Sequence, residues 1–227
     1  MEHSLLSCIA LALLVPLVAG AGPVLETEPN NSLAGAQSVD GHFTLDFSPD
    51  IGNGTHVDNT SLTIPHVTVP GSGDGSFDYY SFTFPGPGST FGFVVLDIDY
   101  SSSSFDSRVA LWGPTGDLLG HNDDYDYRGG AGGSLLHYGG VMSFDSLMTT
   151  YITTPGIYVV GVARSIASPG PGPIGYVGGE PLIGDAYTLQ ISVENVPVVP
   201  EPSNWTLMSL GLGTLTCWSR FKHWRQG

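Results

Sequence analysis

Apolar and polar residues alternate along much of this chain in runs too short for helices. Asp78–Phe84 (DYYSFTF) alternates most strongly. Phe91–Tyr100 (FGFVVLDIDY) begins as an uninterrupted apolar run, the mark of a strand buried on both faces, and ends with carboxylates at Asp97 and Asp99. Arg108–Trp112, Ser146–Ile152, Ile157–Ala163 and Ala186–Val193 read as further strands, and His42–Phe47 alternates as well. Leu62–Val69 reads as a strand interrupted by Pro65, which assigns it to a sheet edge. Between these runs lie turn-forming stretches. Asp50–Thr60 is a Gly/Asn/Asp loop, Asp117–Gly133 a polar, glycine-rich excursion, and Ser165–Asp185 carries the Pro/Gly-rich insertion SPGPGPIGYVGG. Glu26–Val39 is polar and then weakly helical in pattern. About eight short strands separated by turn signals predict an all-β chain, an antiparallel β-sandwich or jelly roll. With 32 Gly and 17 Pro, the composition agrees, because neither residue suits long helices.

The two ends depart from this pattern. Leu5–Val18 is an apolar run followed by Ala19-Gly20-Ala21, which fits a signal helix and its cleavage site over residues 1–21, although the segment before the run has Glu2 and no Lys or Arg. Residues 197–227 place three parts in order: the triplet Pro200-Glu201-Pro202, an apolar stretch over 205–218 read as one transmembrane helix, and a basic tail over 219–227 with Arg220, Lys222 and Arg225. Apolar residues favour the bilayer, and basic residues resist crossing it. Trp205 and Trp218 would sit at its two interfaces. Residues 22–196 form the single domain between these ends, and both cysteines, Cys8 and Cys217, fall outside it. The domain therefore has no disulfide, and core packing or bound metal must supply what disulfides often give exported domains.

Charge sharpens the picture. Half of the six Lys+Arg lie in the tail, so the domain opposes most of the chain's 21 Asp+Glu with Arg108, Arg128 and Arg164 and has no lysine. A basic groove for nucleic acid is excluded. Carboxylates in such number are also donors for hard cations, and Ca²⁺ takes six to eight oxygen ligands. Glu26, Glu28, Asn30 and Asn31 offer four side-chain oxygens within six residues, and Asp74 and Asp78 stand ahead of and at the start of the strongest alternating run. A second cluster, Asn122, Asp123, Asp124 and Asp126, joins with Asp106 as another candidate Ca²⁺ site. The competing reading of both clusters is solvated turns rich in Asn and Asp. An EF-hand is excluded in the second, where Arg128 takes a ligand position and Leu135 the twelfth place.

No nucleophile elbow, zinc-protease helix or phosphate loop is present. His42, His56, His66, His121 and His137 are scattered without ligand spacing, and the reading is that the protein is not an enzyme. Trp112, Tyr125, Tyr127 and Tyr138 are candidates for stacking on a sugar.

The tail resembles the PEP-CTERM sorting signal of Gram-negative bacteria, a tail class also labelled ice-binding protein C-terminal. The resemblance implies export, membrane anchoring through the C-terminal helix, and processing near Pro200–Pro202 by an exosortase-type enzyme. The cell surface or extracellular polymer would be the destination. The body resembles the bacterial pre-peptidase C-terminal domain, a β-sandwich. The matching pieces, in order, are Glu26-x-Glu28-Pro29-Asn30-Asn31, GDGSFDYYSFTF, FDSRVALWGPTGDLLGHNDD, TTPGIYVVGV and GDAYTLQISV. That likeness implies Ca²⁺ bound by the opening acidic segment and the turn before the DYY strand. Ser76 stands where other members carry a second acidic residue. The expectation is an exported, non-enzymatic surface or matrix protein stabilised by calcium, with extracellular polysaccharide as a partner. The alternative is a polysaccharide-, protein- or ice-binding module, although the chain lacks the repeat that a flat ice-binding face requires.

Overall fold

In a computed structural model, the described residues are 23–52, 59–86, 91–102, 104–126 and 142–199. The proposed signal helix, the Pro-Glu-Pro triplet, the apolar stretch and the basic tail lie outside them. Among the described residues no helix is long and apolar enough to cross a membrane. Regular structure there is almost wholly strand: β1 (Gln37–Ser38), β2 (His66–Ser72), β3 (Asp78–Phe84), β4 (Gly92–Asp99), β5 (Ser107–Trp112), β6 (Leu118–Asn122), β7 (Tyr125–Asp126), β8 (Met142–Ser143), β9 (Leu147–Ile152), β10 (Gly156–Arg164), β11 (Ser168–Pro169), β12 (Tyr176–Val177) and β13 (Ala186–Val193).

Two sheets carry the fold. One has the order β1-β3-β10-β5-β6 and the other β2-β13-β4-β9, while β7-β8 and β11-β12 form small ribbons. All pairings in the two large sheets are antiparallel except β1 with β3. Alternation decides which side chains enter the core. In β3, Tyr80, Phe82 and Phe84 join Val160 and Val162 of β10, and these share one cluster with Val67 and Val69 of β2, Leu96 and Ile98 of β4, and Leu189 and Ile191 of β13. One core thus draws on both sheets, a β-sandwich-like arrangement.

The alternate residues of β3 and β10 face the other way, where a second cluster forms. Tyr79, Ala110, Trp112 and Ala163 pack with Tyr176 of the Pro/Gly-rich insertion and with Ala167 just before it. Trp112 Nε1 donates to the Gly170 carbonyl (2.7 Å), and Tyr79 accepts from the Tyr176 N–H at its hydroxyl (2.8 Å). Gly161 makes this cover fit, since a Cβ there would stand 2.8–2.9 Å from the rings of Trp112, Tyr176 and Tyr79. The insertion is therefore the cap of an aromatic layer.

Several sequence expectations need correction. The weakly helical stretch within Glu26–Val39 is a 3₁₀ turn at Leu33–Gly35 followed by β1. His42–Phe47 makes one isolated bridge, Thr44 to His66, in place of a strand. The edge strand begins after Pro65 and contains Pro70, whose missing N–H is harmless because β13 is the one named strand beside β2 among the described residues. Part of the polar excursion after Asp117 is the outer strand β6. Trp112 is only 1% exposed and offers no surface for a sugar. The side chain of Tyr125 lies outside the described residues, as do Tyr127 and Tyr138 entirely.

Candidate metal centre

The opening segment is tied to the sandwich along its length. Val24 N–H donates to the Thr68 carbonyl (2.9 Å), and Tyr79 N–H donates to the Asn30 carbonyl (3.1 Å). These bonds hold Glu26 and Glu28 against the start of β3, where Asp78 points inward. Glu26, Glu28 and Asp78 each bring a carboxylate oxygen within 4.8 Å of the others. Glu26 is half-buried, Glu28 exposed and Asp78 fully buried.

Glu26 bridges the two sheets. Its Oε2 accepts from the Ser72 N–H of β2 (2.7 Å), while its Oε1 accepts from the Tyr80 hydroxyl of β3 (2.5 Å). Tyr187 of β13 donates to Asp78 Oδ2 (2.6 Å), and the two phenol oxygens lie 2.8 Å apart. Gly71 permits this, because a Cβ at that position would sit 2.3 Å from the Tyr187 ring. The other Asp78 oxygen, Oδ1, is buried and has no hydrogen-bond partner. Leaving such an atom unsatisfied is costly unless something outside the protein completes it.

Burial is the main cause that pushes the Asp78 carboxyl up to about 8, and the charges of Glu26, Glu28 and Asp74 add to it against the Tyr187 hydrogen bond. Burial likewise raises Glu28, with Asp74 and Glu26 adding to the effect. Both phenols are raised by burial, so they keep their protons. In a cation-free pocket Tyr80 donates to the Glu26 carboxylate and Tyr187 to Asp78 Oδ2, while burial favours the protonated form of Asp78. A bound cation would reverse the preference at Asp78, favouring the ionised carboxylate.

The remaining predicted ligands of this site sit as follows. Asn30 is buried, its backbone N–H donates to Glu28 Oε2 (2.9 Å), and its amide is best oriented with nitrogen toward the Glu28 carboxylate. Asn31 is exposed and its Oδ1 accepts from the Asn30 N–H (3.0 Å), so it closes a local turn. Asp74 does the same, its Oδ1 accepting from the N–H and hydroxyl of Ser76. It contributes its field to Glu28 and Asp78. Sequence reading missed Tyr80 and Tyr187; the signal was present in their alternation, but their convergence is a fact of the two sheets.

The second acidic cluster is organised differently. Arg108 of β5 pairs with Asp123 (2.5 Å), touches His121 Nδ1 (3.0 Å) and donates from Nε to the Ser165 carbonyl (2.8 Å). Asn122 spends its amide N–H groups on the carbonyls of Asp124 and Leu147. Asp106 Oδ1 and Asp124 Oδ1 are shielded and unpartnered, though both residues are only half-buried. Burial raises Asp124, with Asp106 and Asp123 adding and Arg108 opposing. Among the described residues these carboxylates do not bring three oxygens into one coordination sphere. The side chain of Asp126 lies outside those residues. Asp97 and Asp99 are buried and engaged within the fold.

The chain matches no known family model and no curated protein.

The donor set at the sandwich mouth is all oxygen, with three carboxylates, no Lys or Arg paired with them among the described residues, and one buried, unpartnered acceptor on Asp78. That chemistry fits a hard divalent cation of the Ca²⁺ class. Glu26, Glu28 and Asp78 would hold it, and water or nearby carbonyl oxygens would complete the shell.

Proposed function

We propose that this chain is an exported, non-enzymatic surface or extracellular-matrix protein whose β-sandwich is stabilised by Ca²⁺ at the Glu26–Glu28–Asp78 mouth. The observation that carries the calcium reading is the buried, unpartnered Asp78 oxygen within a cation-free group of three carboxylates. A cation there would join the opening segment to β3 and, through Glu26 and Ser72, to β2. It would do the work that a disulfide does in other exported domains of this size. The resemblance to the pre-peptidase C-terminal domain supports the same reading, since two of the pieces that carry it, the opening acidic segment and the start of the DYY strand, meet here.

Delivery rests on the ends of the chain. The apolar run before Ala19-Gly20-Ala21 directs export, and the tail anchors the protein for processing at Pro200–Pro202 by an exosortase-type enzyme. The membrane is a transient partner, and extracellular polysaccharide is the surrounding medium. The test is deletion of residues 219–227 in a host that has the processing enzyme. Loss of membrane retention or of C-terminal processing is the expected result. Unchanged delivery to the surface would overturn the sorting role of the tail.

A further inference from the structure

The two ends of the sandwich differ in what they expose. Antiparallel pairing brings the close of β3 at Phe84, the start of β4 at Gly92, the close of β9 at Ile152, the start of β10 at Gly156 and the close of β13 at Val193 to one end. They pack closely there, since a Cβ on Gly92 would stand 2.7 Å from the Phe84 ring and 3.3 Å from the Glu194 carbonyl. The acidic mouth lies at the other end, where β3 starts at Asp78 and β2 closes at Ser72.

The chain leaves the domain at the first of these ends. After β13, Glu194 N–H donates to the Phe93 carbonyl (2.9 Å), Val196 and Pro197 line a small cleft with Thr83 and Pro85, and Val199 N–H donates to the Phe43 carbonyl (2.8 Å). Residues 200–204 alone separate Val199 from the apolar stretch that begins at Trp205. Fully extended, that tether spans roughly 17 Å. The 8-residue strand β4 is about 26 Å long, so the tether is shorter than the sandwich.

Large apolar side chains line the rim of this end. Phe93 of β4 lies directly across from Tyr151 of β9, with ring centroids 5.1 Å apart, and Tyr151 meets Phe91 edge-on at 4.8 Å. Phe91 is 45% exposed and Tyr151 62%. On the other sheet Ile157, 59% exposed, pairs across from Thr83 of the Pro197 cleft. Aromatic rings with one apolar side and one wet side settle at the membrane–water interface. Two carboxylates beside these residues are already engaged: Glu194 accepts from the Phe93 N–H (3.0 Å), and Asp40 accepts from the N–H and hydroxyl of Thr83.

We infer that this end of the sandwich docks on the lipid surface while the chain is anchored, with Phe91, Tyr151 and Ile157 entering the headgroup region and the acidic mouth turned toward water. The inference rests on the anchoring read from residues 205–218 and adds one orientation for the anchored domain. Lipid is the occupant because the short tether keeps a bilayer within reach and leaves from the same end that carries the aromatic rim.

The test is site-directed spin labelling of the full chain in vesicles of zwitterionic phosphatidylcholine, with C8S and C217S removing the native thiols. Labels go on Y151C and I157C at the rim, and on I183C, an 85% exposed site beside Gly75 near the mouth. Flotation with the vesicles is measured first. The labels at 151 and 157 should lose access to a water-soluble nickel relaxant and gain access to oxygen, which concentrates in lipid. The label at 183 should stay open to nickel. Flotation with all labels equally open to nickel would overturn the docking and leave the anchor standing. Failure to float would overturn both. Rim labels shielded from nickel without the gain in oxygen access would assign the face to a second copy of the chain and overturn the lipid proposal.

Discussion

The two acidic clusters are alike in composition and differ in what opposes their charge. At the sandwich mouth, Glu26, Glu28 and Asp78 meet with no Lys or Arg paired to them among the described residues. Hydroxyl and amide donors face them, and one buried oxygen is left over. Beside β6, Asp123 is paired with Arg108, whose charge also moderates Asp124. The first cluster stores an unmet demand for positive charge; the second has been supplied with it by the chain. A run of Asp and Glu is therefore informative about metal only when the fold also withholds an internal cation.

The largest effect that would break this comparison is removal of the orphan oxygen's charge. At calcium one hundredfold above its dissociation constant, a single site adds about 2.7 kcal/mol. For a domain of this size that is a rise in Tm of about 5–10 °C. D78N should lose that rise, while melting in chelator at pH 8 no lower than the wild type, because the substitution removes a buried charge. A retained calcium response in D78N would place the ion elsewhere.

Next in size is the pH dependence in chelator. The folded Asp78 keeps its proton up to about pH 8, whereas in the unfolded chain it releases it near 3.8. The native state holds the extra proton across that interval, so stability is fully present below it and declines as pH rises toward 8. Melting followed from pH 5 to 8.5 should show this fall in chelator and a much flatter profile in Ca²⁺. D78N should flatten the chelator curve. A wild-type curve that rises over the interval would contradict the raised Asp78.

Smaller, and sharper as a comparison, is R108Q. It removes the counter-charge from a partly exposed pair and should cost about 1–2 kcal/mol. It should also give Asp106, Asp123 and Asp124 a calcium response of their own, read as a calcium-induced rise in Tm larger than the wild type's. If the rise in R108Q equals that of the wild type, the absence of a cation does not by itself make an acidic cluster a site.

Much of this was legible in the chain. The strand Asp78–Phe84 and the strand Ala186–Val193 coincide with β3 and β13, because their inward and outward residues differ cleanly in polarity. The acidic opening was legible as oxygen donors at close spacing. What the chain hid lies across space. Tyr187 reaches Asp78 from 109 residues away, and Arg108 meets Asp123 across a hairpin. Strand β6 (LLGHN) was hidden because its side chains are only half-covered at a sheet edge. The Pro/Gly-rich insertion gave no sign that Tyr176 would close an aromatic layer over Trp112.

The most direct test of the calcium-stabilised sandwich is thermal unfolding of the full wild-type chain at pH 8.5, with Ca²⁺ and with chelator. At that pH Asp78 is mostly ionised in the fold and its demand for a cation is greatest. The account predicts a Tm higher by about 5–10 °C in saturating calcium. Identical melting in the two conditions would contradict it and leave the three carboxylates as a strained, solvated edge of the sandwich.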